Sequence, residues 1–211
     1  MTTKSERYFK KGNDFRVQYE QKKAIKNYNK ALKLDPDFYQ AWNNKGLTFD
    51  DLRQHKQALK FYDKAIKINP QIRDAWFNKG NCFDMLKQDA DAIYCFDKLI
   101  QINPFDYEAW FNQGNAFSNL KQYEKALDCF EKVLEIEPTL QVAWFNQGNV
   151  LSNLERYAEA LNSYEKAIEL NPKDYSAWSN KALMLKRMKQ HPESLQADCQ
   201  AIKLFHEQKV S

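Results

Sequence analysis

Catalysis and metal binding need nucleophiles, ligands or paired acids at defined spacings, and this sequence is poor in all three. Its four cysteines are Cys82, Cys95, Cys129 and Cys199, and no two form a C-x-x-C pair. The three histidines, His55, His191 and His206, lie at segment ends, and none stands at zinc-ligand spacing from a cysteine. There is no phosphate-binding glycine loop, no G-x-S-x-G and no H-E-x-x-H. The adjacent acids Asp50 and Asp51 fall on a helix surface, without a buried pocket to raise a pKa. These residues predict no metal, no cofactor and no enzyme.

The chemistry that does recur is that of the amide. Asn44, Asn78, Asn112, Asn146 and Asn180 repeat every 34 residues. Asn81, Asn115 and Asn149 stand three residues beyond three of them, and Asn119 and Asn153 seven beyond two. An amide carries donors and an acceptor, so it can pair with an extended backbone without reading its side chains. Residues three and four apart share a helix face. Asn112, Asn115 and Asn119 therefore form one stripe, and Asn146, Asn149 and Asn153 another. Beside them stand Phe77, Phe111 and Phe145, with Phe9 at the matching site upstream. These rings serve either as anchors for a ligand or as partly buried packing. Asp50, Asp51, Asp74 and Asp84 add acid in the same region. They read either as a solvated face or as an attraction for a basic peptide.

The elements that must position these amides follow from the same period. Trp42, Trp76, Trp110, Trp144 and Trp178 are each 34 residues apart. Gly12, Gly46, Gly80, Gly114 and Gly148 keep the interval, as do Pro36, Pro70, Pro104, Pro138 and Pro172 and the alanines from Ala24 to Ala160. Internal repetition of this length marks a stacked array. Each period holds two helical segments around a short polar break. In one, Trp110, Phe117 and Leu120 are apolar at helical spacing, followed by Ala126, Leu127, Phe130, Val133, Leu134 and Ile136. Gly114 predicts a close helix approach, with Ala126 facing it, since a mid-helix glycine costs about 1 kcal/mol against alanine. The residue before each proline leaves the α region and ends the second helix. At Asn69, Asn103 and Asn171 that residue is suited to a C-terminal cap.

The run Trp42, Gly46, Phe49, Ala58, Tyr62, Ala65 and Pro70 resembles the signature of the tetratricopeptide repeat. The resemblance extends over six units, 5–38, 39–72, 73–106, 107–140, 141–174 and 175–208, in one domain. It implies an all-α, right-handed superhelical solenoid of six stacked antiparallel helix pairs, whose first helices line a concave groove. The function it implies is a protein–protein interaction scaffold that holds an extended peptide or partner segment through the asparagine ladder. Such a ladder is similar to that of the substrate-guiding arm of O-linked N-acetylglucosamine transferase. A second family function, a clamp for acidic chaperone tails, does not fit. Asn13 and Asn44 match it, but Phe9 stands at its lysine site, and Asp74 and Asn78 replace its basic residues. An aspartate there repels a carboxylate.

The ends depart from the pattern. Tyr8 replaces the tryptophan in the first unit; Ala182, Ser194 and Asp198 replace glycine, alanine and aromatic in the last. With no further polar helix encoded, Leu183, Leu185, Leu204 and Phe205 are expected to be partly exposed. This motivates the alternatives of a self-assembling solenoid or a fragment of a larger multi-domain adaptor. The 32 basic and 28 acidic residues are interleaved, leaving a net charge of +4, which gives no basic face for nucleic acid. No run approaches the roughly 20 apolar residues of a membrane span. Residues 1–11 lack a secretory apolar stretch. Together with the irregular cysteines, this points to a reducing, cytoplasmic location.

Overall fold

The computed structural model describes residues 2–210. Twelve α-helices account for nearly all of them: α1 Lys4–Val17, α2 Gln21–Leu34, α3 Tyr39–Asp51, α4 His55–Ile68, α5 Arg73–Met85, α6 Asp89–Ile102, α7 Tyr107–Asn119, α8 Tyr123–Ile136, α9 Gln141–Asn153, α10 Tyr157–Leu170, α11 Tyr175–Arg187 and α12 His191–Val210. There is no strand among the described residues. The expected helix pairs are α1/α2, α3/α4, α5/α6, α7/α8, α9/α10 and α11/α12. Two compact units hold three pairs each, Met1–Pro104 and Phe105–Ser211.

The two kinds of break have different physics. Within a pair, the first helix ends in a Schellman turn. In α7, Gln122 N–H donates to Phe117 O at 2.9 Å and Lys121 N–H to Ser118 O at 2.9 Å. The turn needs a left-handed residue, and none of the six is glycine. Tyr19, Arg53, Lys87, Lys121, Glu155 and Lys189 all have φ between 58° and 62°. Between pairs, the residue before proline is extended, as at Asn69 with φ −129° and ψ 97°. Asn69, Asn103 and Asn171 are the C-caps, as at Asn69, whose N–H donates to Ala65 O at 2.9 Å, but they are extended rather than left-handed because a proline follows. Asn69 Oδ1 accepts Gln71 N–H at 3.1 Å, and Asn171 Oδ1 accepts Lys173 N–H at 3.2 Å. This opens the connector as an Asx turn.

The fixed spacing of proline and tryptophan has a direct cause. Four indole N–H groups donate to the carbonyl of the proline six residues earlier: Trp42 to Pro36 at 2.8 Å, Trp76 to Pro70 at 2.9 Å, Trp144 to Pro138 at 2.9 Å and Trp178 to Pro172 at 3.0 Å. The bond ties each of these connectors to the first turn of the helix that follows it.

The glycines do mark close approaches, but the partner is an aromatic ring rather than the alanine. A Cβ on Gly148 would lie 2.7 Å from Tyr164 Cε1, and one on Gly114 3.1 Å from both Cys129 Cβ and Phe130 Cε1. Ala126 is fully buried, but beside Leu127, Phe130, Val150 and Leu151. An aromatic ring reaches across the pair where a methyl cannot, so it is the ring that needs the missing Cβ. In the last pair both partners change together: Ala182 stands at the glycine site and Asp198 at the ring site. With no ring to avoid, the methyl of Ala182 is accommodated and 1% exposed.

That pair corrects one expectation. Leu185 and Leu204 are buried: Leu185 packs with Ala182 of its own helix and Ala197 of α12, so the pair closes its core from within. Leu183 and Phe205 do remain partly exposed, at 45% and 37%.

Candidate peptide-binding face

In the second unit, α7, α9 and α11 carry their asparagines at corresponding positions. The amides are linked from pair to pair. Asn146 Nδ2 donates to Asn115 Oδ1 at 2.9 Å, and Asn180 Nδ2 to Asn149 Oδ1 at 3.0 Å. The Tyr164 hydroxyl donates to the same Asn149 oxygen at 2.8 Å. Burial pushes the Tyr164 hydroxyl well above the ordinary tyrosine pKa, so it stays a donor. Asn115 and Asn149 are thus held by their oxygens, and neither Nδ2 has a protein partner among the described residues. These two NH2 groups sit in equivalent places 34 residues apart. Asn115, Ser118, Asn119, Phe130, Asn146 and Asn149 line a small cleft of about 170 Å³.

The outer members of each stripe behave differently. Asn112 Nδ2 donates to Glu108 O at 2.8 Å and Asn153 Nδ2 to Asn149 O at 2.8 Å, each within its own helix. Asn119 and Asn153 are exposed. Gln113 and Gln147, inside the shared WFNQGN run, belong to the core at 3% and 8% exposure. Their oxygens accept from Cys129 Sγ at 3.4 Å and Ser163 Oγ at 2.9 Å.

The first unit uses its amides internally. Asn44 Nδ2 donates to Asn13 Oδ1 at 2.8 Å, and the Tyr28 hydroxyl shares that oxygen at 2.8 Å. Leu47 then stands where the repeat calls for the next asparagine. Asn78 Nδ2 turns instead to Asn43 Oδ1 at 3.1 Å, and Asn43 Nδ2 donates to Asn44 Oδ1 at 3.2 Å. Asn81 lies half-buried on α5, three residues beyond Asn78. The ladder with its oxygens bonded from pair to pair and its NH2 groups so oriented is that of the second unit.

The phenylalanines are half-buried and engaged edge-on with the core. Phe77 meets Phe96 at a centroid distance of 6.4 Å, Phe111 meets Phe130 at 5.8 Å and Phe145 meets Tyr164 at 5.8 Å. Packing is thus an established role for all three. The acids do not form one patch. Asp74 is in the first turn of α5 and Asp84 in its last, so they stand about 15 Å apart at 1.5 Å per residue. Asp51 is paired with Arg16 at 3.3 Å, and Asp50 with His55.

That last contact was not foreseen from the sequence. His55 and Cys82 are 27 residues apart in the chain, yet Nδ1 and Sγ lie 3.8 Å apart with Asp50 beside both. Spacing within one segment cannot find such a cluster, but the 34-residue register can. Asp50 and Cys82 are two residues short of one period apart, on helices that stack side by side.

Tetratricopeptide repeat models match residues 39–72, 73–106, 107–140, 142–174 and 163–196, and a further TPR repeat model matches 8–52. The chain therefore belongs to the tetratricopeptide repeat family, a family of protein-interaction scaffolds. A search of curated proteins finds no significant match. Solved structures with the same fold include MamA from Desulfovibrio magneticus, with 19% identity and a TM-score of 0.77 over 81% of this chain and 96% of that one. A tetratricopeptide repeat protein from Parabacteroides merdae gives 20% identity and a TM-score of 0.81 over 96% and 79%. YrrB, described as a TPR protein with an unusual peptide-binding site, gives 21% identity and a TM-score of 0.75 over 86% and 97%. No helix among the described residues is long and apolar enough to cross a membrane.

Proposed function

We propose that the chain is a non-enzymatic scaffold that binds an extended segment of a partner protein along α7, α9 and α11, through the amides of Asn112, Asn115, Asn119, Asn146, Asn149, Asn153 and Asn180. The observation that carries this reading is the pair of NH2 groups on Asn115 and Asn149, fixed by their own oxygens and left without protein partners. Two fixed donors repeated in equivalent surroundings suit a ligand whose carbonyls also repeat. The oxygens of Asn146 and Asn180 offer acceptors for its N–H groups, and the exposed edges of Phe111 and Phe145 add apolar contact. Asn44, Asn78, Asn81 and Phe77, with Asp50 and Asp84, form a subsidiary surface on the first unit. The unpaired cysteines suit a cytoplasmic setting.

Asn115 gives the cleanest test, because Phe130 has no hydroxyl to orphan when that amide is removed. In Asn115→Ala, stability should stay within about 1 kcal/mol. Affinity for a peptide selected from a display library against the intact chain should fall roughly 2- to 10-fold, the yield of one net hydrogen bond. Unchanged affinity in the folded variant would remove Asn115 from the site.

A second reading, self-association through the last pair, is favoured by the exposure of Leu195 at 66% and Ile202 at 59%, seven residues apart on α12. Sedimentation at rising concentration decides it: a constant monomer mass rejects this reading.

A further inference from the structure

Three side chains that the repeat keeps apart in sequence converge in the first unit. Asp50 lies in the last turn of α3, His55 opens α4 and Cys82 sits within α5. Asp50 Oδ1 is 2.5 Å from His55 Nδ1 and 3.2 Å from Cys82 Sγ. With the 3.8 Å from Sγ to Nδ1, the three ligand atoms all fall within 4.8 Å of one another. The convergence is not a product of the periodic pattern. One repeat downstream, these sites hold Asp84, Asp89 and Ala116; one repeat upstream, Arg16, Gln21 and Thr48.

A second observation points to the same place. Tyr62 is fully buried and packs with Cys82, yet its hydroxyl has no hydrogen-bond partner. The equivalent hydroxyls of Tyr28 and Tyr164 donate to Asn13 and Asn149; Leu47 removes that partner here. A buried polar group left unsatisfied is costly, and a water held on an ion at this point would satisfy it.

We propose that Asp50, His55 and Cys82 bind one zinc ion, with a water in the fourth position beside the Tyr62 hydroxyl. Carboxylate, imidazole and thiolate are the three zinc ligand types, and three protein ligands plus water is a recurrent zinc arrangement. A site with sulfur and nitrogen donors disfavours calcium and magnesium, which take oxygen. Cys82 gives up its thiol proton to solvent on binding. Its thiolate and the Asp50 carboxylate then balance the charge of the ion. Arg16, which lines the same pocket, pairs through Nη1 with Asp51 at 3.3 Å.

Tetrahedral zinc bonds of about 2.0–2.3 Å place ligand atoms roughly 3.4–3.6 Å apart. The two distances to sulfur, 3.2 and 3.8 Å, bracket that value. Only Asp50 and His55 must separate, and Asp50, with 27% of its side chain exposed, is the group with room to move. An open pocket of about 670 Å³ that includes Arg16, Asp50, Asp51 and His55 in its lining gives an ion access from solvent.

The test is titration of the intact chain with Co²⁺, followed by displacement with Zn²⁺. One equivalent of Co²⁺ should bind, with tetrahedral d–d bands in the visible and a thiolate-to-cobalt charge-transfer band in the near ultraviolet, all discharged by one equivalent of Zn²⁺. Cys82→Ser and His55→Gln should each weaken Co²⁺ binding by at least about a hundredfold, the upper range for losing even a partner of a ligand. Cys129→Ser, in the other unit, should leave it unchanged. Absence of the charge-transfer band at saturating Co²⁺ in the unaltered chain overturns the proposal, and that result needs no variant to fold. So does a folded Cys82→Ser that binds Co²⁺ with the same spectrum and affinity.

Discussion

Gly148→Leu is expected to destabilise the second unit by about 3 kcal/mol or more, at or beyond the upper range for overpacking. A Cβ alone would already meet Tyr164 Cε1 at 2.7 Å and Cδ1 at 2.9 Å. That ring cannot move aside cheaply. It is 1% exposed, and its hydroxyl is tied to Asn149 at 2.8 Å. Gly114 supplies the contrast within the same unit. Its nearest neighbours are 3.1 Å away, and Phe130 has no hydroxyl anchor. Gly114→Ala should therefore stay within about 1 kcal/mol of neutral, since the helical gain of alanine over glycine is of that size. Urea unfolding of both variants reads the difference. Because coupling in repeat arrays runs between nearest neighbours, Gly148→Leu should also split the transition. Equal losses for Gly148→Ala and Gly114→Ala would show that the anchored ring does not set the glycine requirement.

Asn149→Ala should cost about 2–4 kcal/mol of stability, even though the residue is only half-buried. Two donors share its oxygen, the Tyr164 hydroxyl and Asn180 Nδ2. Removing it orphans a buried hydroxyl, at about 1–3 kcal/mol, and forfeits one more bond between pairs, at about 1 kcal/mol. The double variant Asn149→Ala, Tyr164→Phe should recover most of the first part, because both partners are then gone. A double-mutant cycle with no coupling between the two sites would contradict the shared-oxygen arrangement. The same cost bears on any test of the ladder. Replacing Asn112, Asn115, Asn146 and Asn149 together perturbs folding as well as binding, so Asn115 and Asn112 are the positions at which the two effects separate.

The fold was legible because the period fixes it. Tryptophan, glycine and proline each recur on one 34-residue lattice, and the helix boundaries follow from the residue before proline and the apolar spacing. What the lattice could not announce was the partner of each marked residue. Gly114 looked as though it faced Ala126, but side-chain reach across a pair decides that contact in favour of the ring. The left-handed residues were hidden because Tyr19, Arg53, Lys87, Lys121, Glu155 and Lys189 give no glycine signal. The Asn115 and Asn149 stripes were visible from spacing alone. Their division into a held oxygen and an open NH2 was not, because it depends on Asn146 and Asn180 one repeat later. The meeting of Asp50, His55 and Cys82 needed the stacking of α3, α4 and α5, which no single segment encodes.

Recognition by paired amides predicts that the ligand is read through its backbone. The most direct measurement is calorimetry with one selected peptide in three forms: unmodified, with its side chains replaced singly by alanine, and with its backbone nitrogens singly N-methylated. N-methylation at positions facing Asn146 and Asn180 should weaken binding about tenfold each, the loss of a net hydrogen bond near the upper end of its range. Most alanine replacements should change affinity less than about threefold, and Asn115→Ala should abolish part of the N-methyl effect. Affinity that tolerates every N-methyl group but collapses on one or two alanine replacements would contradict the ladder and assign binding to side-chain pockets instead.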